Sequence, residues 1–513
     1  MVLIYKIIDF FNPRQYLLYL LLFVIAASLF TYLHFGLTFA DPDSFYHAKM
    51  ATILAEQGII TEFPWLTATD LKYKFVDHHF LYHLALIPFV KLFPPLLGLK
   101  IATIIFASLT ILVIFWLFRQ FRVKGAFWYS LFLLTVNPFI FRLNLAKAQQ
   151  LVLILVFLVI YFLFTRRYLI LILASCLFVW LYGGWPLVIL LAFIYSAANW
   201  PWSVSRRGRA KIKIYGQNFW LLASAGLGVA AGLFFSPYFP HNLAFYWQQS
   251  FKIAVLNYQN LIGVGGEWYP YQPLDLLSAA IPFFIVLIFA LVVFTASAKK
   301  QPMTSWFFLV LSVLFFILTI KSRRYVEYFI PFAVCFSGLS ISASLGLIKN
   351  NLAKLLPRKF FVLAPIFVLL VFSPFFYRDL QSIKNSYQSS FSFDKFAAPS
   401  QWLKENSNQG DIVFHSDWDE FPLLFFHNSR NYYLVGLDPT FMYNYDRDLH
   451  QRWVAITTGE SAVDLYQTIK NIFGASYVFV DINSNRAFAD NLANNFYFEE
   501  VFADSEARIY KVN

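Results

Sequence analysis

The sequence predicts a polytopic α-helical membrane protein of about eleven transmembrane helices, at most about 13, with a C-terminal extracytoplasmic α/β domain. Three observations lead there. First, 59% of the 513 residues are hydrophobic and only 13% are charged, with a mean hydropathy of +0.58, whereas soluble domains carry about 25% charged residues. Second, apolar runs such as 16–35, 274–294 and 361–376 reach or approach the roughly 18 residues that a span requires. Third, charge is unevenly placed: 18 of the 28 acids but only 10 of the 40 Lys and Arg residues lie in 379–513, giving −8 there and +20 before it. Positive charge close to spans is a topology signal. No DNA- or RNA-binding motif accompanies it, so a nucleic-acid partner is not expected.

In chain order, spans are expected at 16–35, 98–118, 126–141, 148–165, 168–183, 185–200, 218–235, 274–295, 303–320, 325–347 and 358–376. The pair flanking Gly183-Gly184 is short enough that its fusion would change the count. Lys6 and Arg14 precede the first run as in a signal peptide, but that run is long and a motif follows it directly, so it reads as an uncleaved span. With a cytoplasmic N-terminus, the clusters at Arg119–Lys124, Arg166-Arg167, Arg206–Lys213, Lys299-Lys300 and Lys349–Lys359 all fall inside. An odd number of spans then places the acidic C-terminal region outside, in a multi-pass plasma-membrane protein. Reading 80–93 as a span would invert every later loop, so it is taken as a juxtamembrane helix in a long external loop, about 36–97. A second long external loop covers about 236–273.

Residues 1–377 thus form the transmembrane domain and 378–513 the soluble one, with strands expected at 411–415, 432–436 and 477–481, a helix at 462–473, and a hairpin from 496–502 and 507–512. Cys176 and Cys335 lie in apolar runs and suggest neither a disulfide framework nor a thiol metal site.

Only ten acids precede residue 379, and nine of them fall outside in this topology. Ionisable groups close to hydrocarbon are costly and so are functional candidates. Asp41-Pro42-Asp43 follows the first span directly; two carboxylates so spaced can hold a divalent cation or supply a base, or simply cap a helix. Asp77-His78-His79 and His83 follow in the same loop, with His79 and His83 on one helical face, fit for metal, phosphate or interfacial packing. In the second loop, Gly263-Val264-Gly265-Gly266-Glu267-Trp268 joins a pliable backbone to a lone acid beside aromatics, suited to a sugar or polar acceptor, or to a plain surface loop. Lys321, Arg323 and Arg324 break the charge rule at an outer span end. They could bind phosphate, anchor lipid headgroups or pair with Glu327.

At Asp41-Pro42, Tyr46, His47 and Ala48 the chain resembles the catalytic subunit of oligosaccharyltransferase, in the C-type glycosyltransferase superfamily, with His47 where the motif usually has Arg. The resemblance implies a catalytic Asp41 that binds a divalent cation, Mg or Mn, with Glu267 completing the shell; because the family's paired acids are missing here, the alternatives are that Asp43 or Asp77 compensates as a ligand, that the site is metal-poor, or that the enzyme is metal-independent with Asp41 as the base. It implies Glu267 as the acid of a loop that closes over the acceptor, and Arg324, with Arg323 and Arg142, as contacts for the donor phosphate. Trp418-Asp419 matches part of a Trp-Trp-Asp-Tyr-Gly signature that reads glycosylation sequons. Asp417, Glu420 and Phe421 depart from it, which puts peptide recognition in doubt. After Arg142 the family's paired acids are missing, and Lys147, Gln149 and Gln150 stand there instead.

The resemblance implies an inverting glycosyltransferase that moves sugar from a polyprenyl phosphate or pyrophosphate to a protein, lipid or glycan, with His47, His78, His79, His83, Trp418 and Asp419 near the acceptor. The alternatives are a transporter or a non-catalytic lipid-glycan binder. Transporters place polar residues at mid-membrane, whereas these acids gather at one rim.

Overall fold

The computed structural model describes residues 13–199, 208–249, 258, 261–355, 358–461 and 463–513. Lys6, Arg206, Arg207 and much of the second expected loop therefore lie outside the described residues. The chain forms two compact units, each assembled from three separate stretches.

The helical unit comprises Met1–Gly36, Ala102–Phe234 and Glu267–Ser389. Helices stand at all eleven expected span positions, though 126–141 and 274–295 are each broken in two, the latter into Pro273–Ser278 and Ile281–Ala296. Apolar side chains and internally satisfied backbones make that the stable form in lipid. Among the described residues, five helices are long and apolar enough to cross a membrane, or six if one bent pair counts as a span; the expected count of eleven is not reached by that measure. The shortfall lies in helices such as Tyr168–Leu181 and Pro186–Ala198, of 14 and 13 residues. At 1.5 Å per residue these reach only about 20 Å of a roughly 30 Å core.

The expected span 126–141 is a correction. It is two helices, Ala126–Leu133 and Asn137–Asn144, bent by 72°. Pro138 occupies the first turn of the second helix, where its missing N–H costs nothing, and so starts a new helix rather than continuing the old one. The break at Tyr182–Trp185 likewise keeps its flanking helices separate.

Helix Gly208–Phe234 packs closely on Tyr168–Leu181 through two small residues. A Cβ on Gly228 would lie 2.3 Å from the Ile172 carbonyl oxygen, and one on Gly232 would lie 2.8 Å from that of Cys176. This is the close backbone approach that small residues four apart permit.

The sheet-bearing unit comprises Leu37–Ile101, Phe235–Gly266 and Ser390–Asn513. Strands β1 (Thr38–Phe39) and β2 (Phe391–Ser392) pair antiparallel. Strands β3 (Ile412–His415), β4 (Tyr432–Tyr433), β5 (Ala475–Asp481), β6 (Phe498–Ala503) and β7 (Ala507–Val512) form one sheet in the order β4-β3-β5-β7-β6. The β3 pairings with β4 and β5 are parallel, and β5-β7-β6 are antiparallel. Central β5 is almost wholly buried, as expected of an apolar strand covered on both faces. The β6–β7 turn is fastened by Asp504, whose Oδ1 accepts the N–H groups of Glu506 and Ala507 at 2.8 and 2.7 Å.

Three strands and the hairpin lie where the sequence suggests. The expected helix 462–473 is shorter, Leu465–Gln467, followed by a π-helical turn Thr468–Ile472. The first long loop belongs to this sheet: the Tyr433 N–H donates to Trp65 O (2.8 Å) and its carbonyl accepts from the Thr67 N–H (2.8 Å), extending the β4 edge. Within the same loop, helix Phe80–Leu92 forms as expected.

Candidate functional site

In the helical unit the site residues converge on Glu267. The bend before Asn137–Asn144 delivers Arg142, whose Nη1 donates to Glu267 Oε2 at 2.6 Å. Its Nε and Nη2 both donate to Glu327 Oε2, at 2.9 and 2.8 Å. Arg324 reaches Glu267 Oε1 from the other side at 3.2 Å and donates to the Tyr182 hydroxyl at 2.6 Å. Its guanidinium stands 4.8 Å over the Trp268 ring.

The Glu267 loop is pinned by main-chain bonds. Ser322 Oγ donates to Glu267 O (2.9 Å), and the Arg323 N–H donates to Tyr269 O (3.0 Å). Arg323 itself turns away, donating from Nε to Pro270 O at 3.2 Å and lying over Tyr271.

Burial alone would raise the Glu267 carboxyl, but the charges of Arg324, Lys147 and Arg142 outweigh it and hold the group well below the usual carboxylate range. Three cations thus face two carboxylates, and Glu327 Oε1 has no hydrogen-bond partner among the described residues. Such a fork of arginines is suited to a phosphate oxygen.

Glu327, one of the alternative partners considered for Arg324, is hydrogen-bonded by Arg142. Tyr182, beside the Gly183-Gly184 break, was not legible as a site residue; the polar ring at a helix interruption was its only signal.

In the sheet-bearing unit, Asp41 and Asp43 open the helix Asp43–Gln57. Asp41 Oδ1 accepts the Asp43 N–H at 2.9 Å, so one of its oxygens serves as a helix-start cap. Phe45, Tyr46, His47 and Ala48 form the buried face of the first turns. His47 Nδ1 lies 2.8 Å from His83 Nε2, and His83 Nδ1 lies 2.7 Å from Asp77 Oδ2. All three are at least 95% buried. Asp77 Oδ1 accepts the His79 N–H at 3.0 Å.

His79 and His83 do share a face, with ring centroids 6.4 Å apart, and His78 packs on His79 at 4.0 Å. Burial, and then the Asp77 charge, push the phenols of Tyr46, Tyr238 and Tyr246 upward, so they remain protonated donors.

The acidic segment before helix Phe421–His427 is organised by Glu420, whose Oε2 accepts the N–H groups of Ser416 (2.8 Å) and Asp417 (2.9 Å) and whose Oε1 takes the Ser416 hydroxyl. Trp418 packs against the hydrophobic core of the sheet. The Asp419 carboxyl is pushed up to about 7 by burial, then by the charges of Asp417, Glu420 and Asp43, against the opposing pull of Lys395. The same unit packs Phe45 on Phe426 at 5.7 Å, which brings the Asp41 helix and the acidic segment onto neighbouring helices.

Among the described residues, no three His, Cys, Asp or Glu side chains are grouped to hold a metal ion. Asp77 gives one oxygen to His83 and the other to the His79 N–H, and Glu267 is held by arginines. These residues, so committed, do not present a divalent-cation shell.

No protein-family model matches the chain, and no curated protein matches it by sequence. Solved structures do match its fold. AglB, the oligosaccharyltransferase of the archaeon Archaeoglobus fulgidus in complex with an inhibitory peptide and a dolichol-phosphate, aligns with TM-score 0.66 and 14% identity over 98% of this chain and 75% of its own. ArnT from Cupriavidus metallidurans, bound to undecaprenyl phosphate, aligns with TM-score 0.56 and 12% identity over 97% and 98%. The arabinofuranosyltransferase AftD from Mycobacteria aligns with TM-score 0.54 and 11% identity over 98% of this chain but 40% of its own. All three are C-type glycosyltransferases, and this chain has their fold.

Proposed function

We propose that the chain is a multi-pass plasma-membrane glycosyltransferase that takes a sugar from a polyprenyl phosphate or pyrophosphate and transfers it on the extracytoplasmic face. In this reading the N-terminus is cytoplasmic and eleven helices span, the short ones aided by local thinning of the bilayer. One observation carries it: Arg142 and Arg324 grip a single loop carboxylate, Glu267, in a fork that a donor phosphate can take over. An entering phosphate competes with Glu267 for the same guanidinium groups, releasing the loop acid as the donor seats.

Asp41 orients the acceptor nucleophile and takes its proton as the new bond forms. Attack on the anomeric carbon breaks the bond to the phosphate oxygen, which leaves with the electron pair and is stabilised by the arginines. One direct displacement inverts the anomeric centre.

A lipid or glycan acceptor is favoured over a peptide, because Asp417, Glu420 and Phe421 replace the sequon-reading residues and Trp418 rests half-buried against the core. The test uses purified chain in bilayers with undecaprenyl-phosphate- and pyrophosphate-linked sugars, assayed against lipid, glycan and peptide acceptors. Unchanged transfer by both Asp41→Ala and Glu267→Ala would remove the site assignment.

A further inference from the structure

The short turn between helices Asn137–Asn144 and Gln149–Thr165 carries Lys147, Gln149 and Gln150 where the resembling family has paired acids. That turn is held firmly. Gln150, fully buried, donates from Nε2 to Leu143 O at 2.8 Å and to Leu145 O at 2.5 Å, and the Lys147 N–H donates to Leu145 O at 2.9 Å. Gln150 is thus spent on fixing the backbone that carries Lys147, five residues after Arg142. The Lys147 side chain is half-buried, and its charge acts on the Glu267 carboxylate together with those of Arg324 and Arg142.

Glu267 meets the two arginines through both of its oxygens, Oε2 taking Arg142 at 2.6 Å and Oε1 taking Arg324 at 3.2 Å. A divalent cation is held by oxygen ligands, carboxylates above all. One placed on Glu267 would have to displace these donors and then sit among three like charges. Guanidinium and ammonium groups only donate hydrogen bonds, so the cluster is built for an anion.

We propose that Lys147, with Arg142 and Arg324, takes the place of a divalent cation at the donor phosphate, and that the chain transfers sugar without a metal. The proposal rests on the glycosyl-transfer reading above. As the nucleophile's heteroatom bonds to the anomeric carbon and gives its proton to Asp41, the sugar–phosphate bond breaks and its electron pair stays on the phosphate oxygen. The leaving phosphate gains one negative charge in that step, and the fixed cations stabilise it.

Manganese EPR of the purified full-length protein in phosphatidylcholine nanodiscs tests for a metal without requiring transfer. Wild type, Asp41→Ala and Glu267→Gln are expected to bind the same amount of Mn²⁺. An equivalent bound by the wild type and lost in either variant overturns the proposal. Transfer from undecaprenyl-phosphate-linked sugars should run at the same rate in EDTA as in Mg²⁺ or Mn²⁺, and activity that EDTA abolishes and either ion restores overturns it too. Lys147→Gln should lower kcat by about 10²–10³-fold, as loss of one group aimed at developing charge does. Lys147→Arg, which keeps the charge, should recover part of it. Full kcat in Lys147→Gln, or equal loss in both variants, removes Lys147 from the role. Absence of transfer by the wild-type chain refutes the proposed function, while the Mn²⁺ measurement still decides whether the site takes a metal.

Discussion

Arg142 binds Glu327 with two nitrogens on one carboxylate oxygen, Nε at 2.9 Å and Nη2 at 2.8 Å, although 185 residues separate them. The pair is buried, and Arg142 spends its remaining nitrogen on Glu267. Removing one partner of a buried ion pair strands the other, at a cost of about 3–5 kcal/mol. Arg142→Ala is therefore expected to lower the melting temperature of the detergent-purified chain substantially. Arg142→Met combined with Glu327→Leu should recover most of the loss, and an unaltered melt of the single variant would show the pair to be unimportant.

Glu267 occupies the arginine fork that the proposed donor needs. Glu267→Gln removes its charge while keeping its shape, so undecaprenyl phosphate should bind about tenfold more tightly, equivalent to about 1.4 kcal/mol, while transfer slows. Titration in nanodiscs reads the affinity. Weaker binding by this variant would mean that the carboxylate assists the phosphate rather than competing with it.

Asp419 sets a pH dependence. Its carboxyl rises from the ordinary 3.8 to about 7 in the folded chain, so between these values the folded state holds a proton that the unfolded state has released. Stability is then greatest below about pH 4 as far as this group is concerned, falls as pH rises through 4–7, and levels off above. Asp417 and Glu420, raised chiefly by burial, act in the same direction. Asp419→Asn should flatten the decline, which melting curves of variant and wild type at pH 5 and pH 8 compare; parallel curves would contradict it.

Gly228 allows two helices to touch. Gly228→Val should destabilise the chain by about 1–3 kcal/mol, the usual cost of overpacking, because its Cβ would meet the Ile172 carbonyl oxygen at 2.3 Å. Gly226, two residues earlier with nothing within 4 Å of its Cβ position, is the control: Gly226→Ala should be neutral or stabilising by up to about 1 kcal/mol. Equal effects at both positions would assign the loss to helix propensity alone.

What was legible in the sequence is what local pattern encodes. Uninterrupted apolar runs identified the helices, and alternating or wholly apolar short runs identified β3, β5 and the β6–β7 hairpin. Pro42 after a carboxylate marked the start of the helix at Asp43. The 72° bend was partly written in Pro138, but hydropathy smooths over a three-residue turn.

The partnerships were not legible. His79 and His83 share a face by spacing, yet the shorter contact of His83 is to His47, 36 residues earlier on another helix. Glu327 lies three residues from Arg324 but bonds Arg142 instead. Trp418 matched a recognition motif by letter, while packing gave it to the core. Each of these depends on which helices adjoin, and residue spacing does not carry that information.

The hydrogen bonds between Thr67 and Tyr433 join residues 366 positions apart. At about 5–20 residues per second of synthesis, roughly 20–70 s pass between the making of the two. The segment that carries Asp41, His47, Asp77 and His83 is therefore translated long before the edge strand that anchors it exists. A gene truncated before residue 390 would leave Trp65 and Thr67 without the edge strand to which they hydrogen-bond, so the last quarter of the sequence supplies the support on which that part of the first loop is laid.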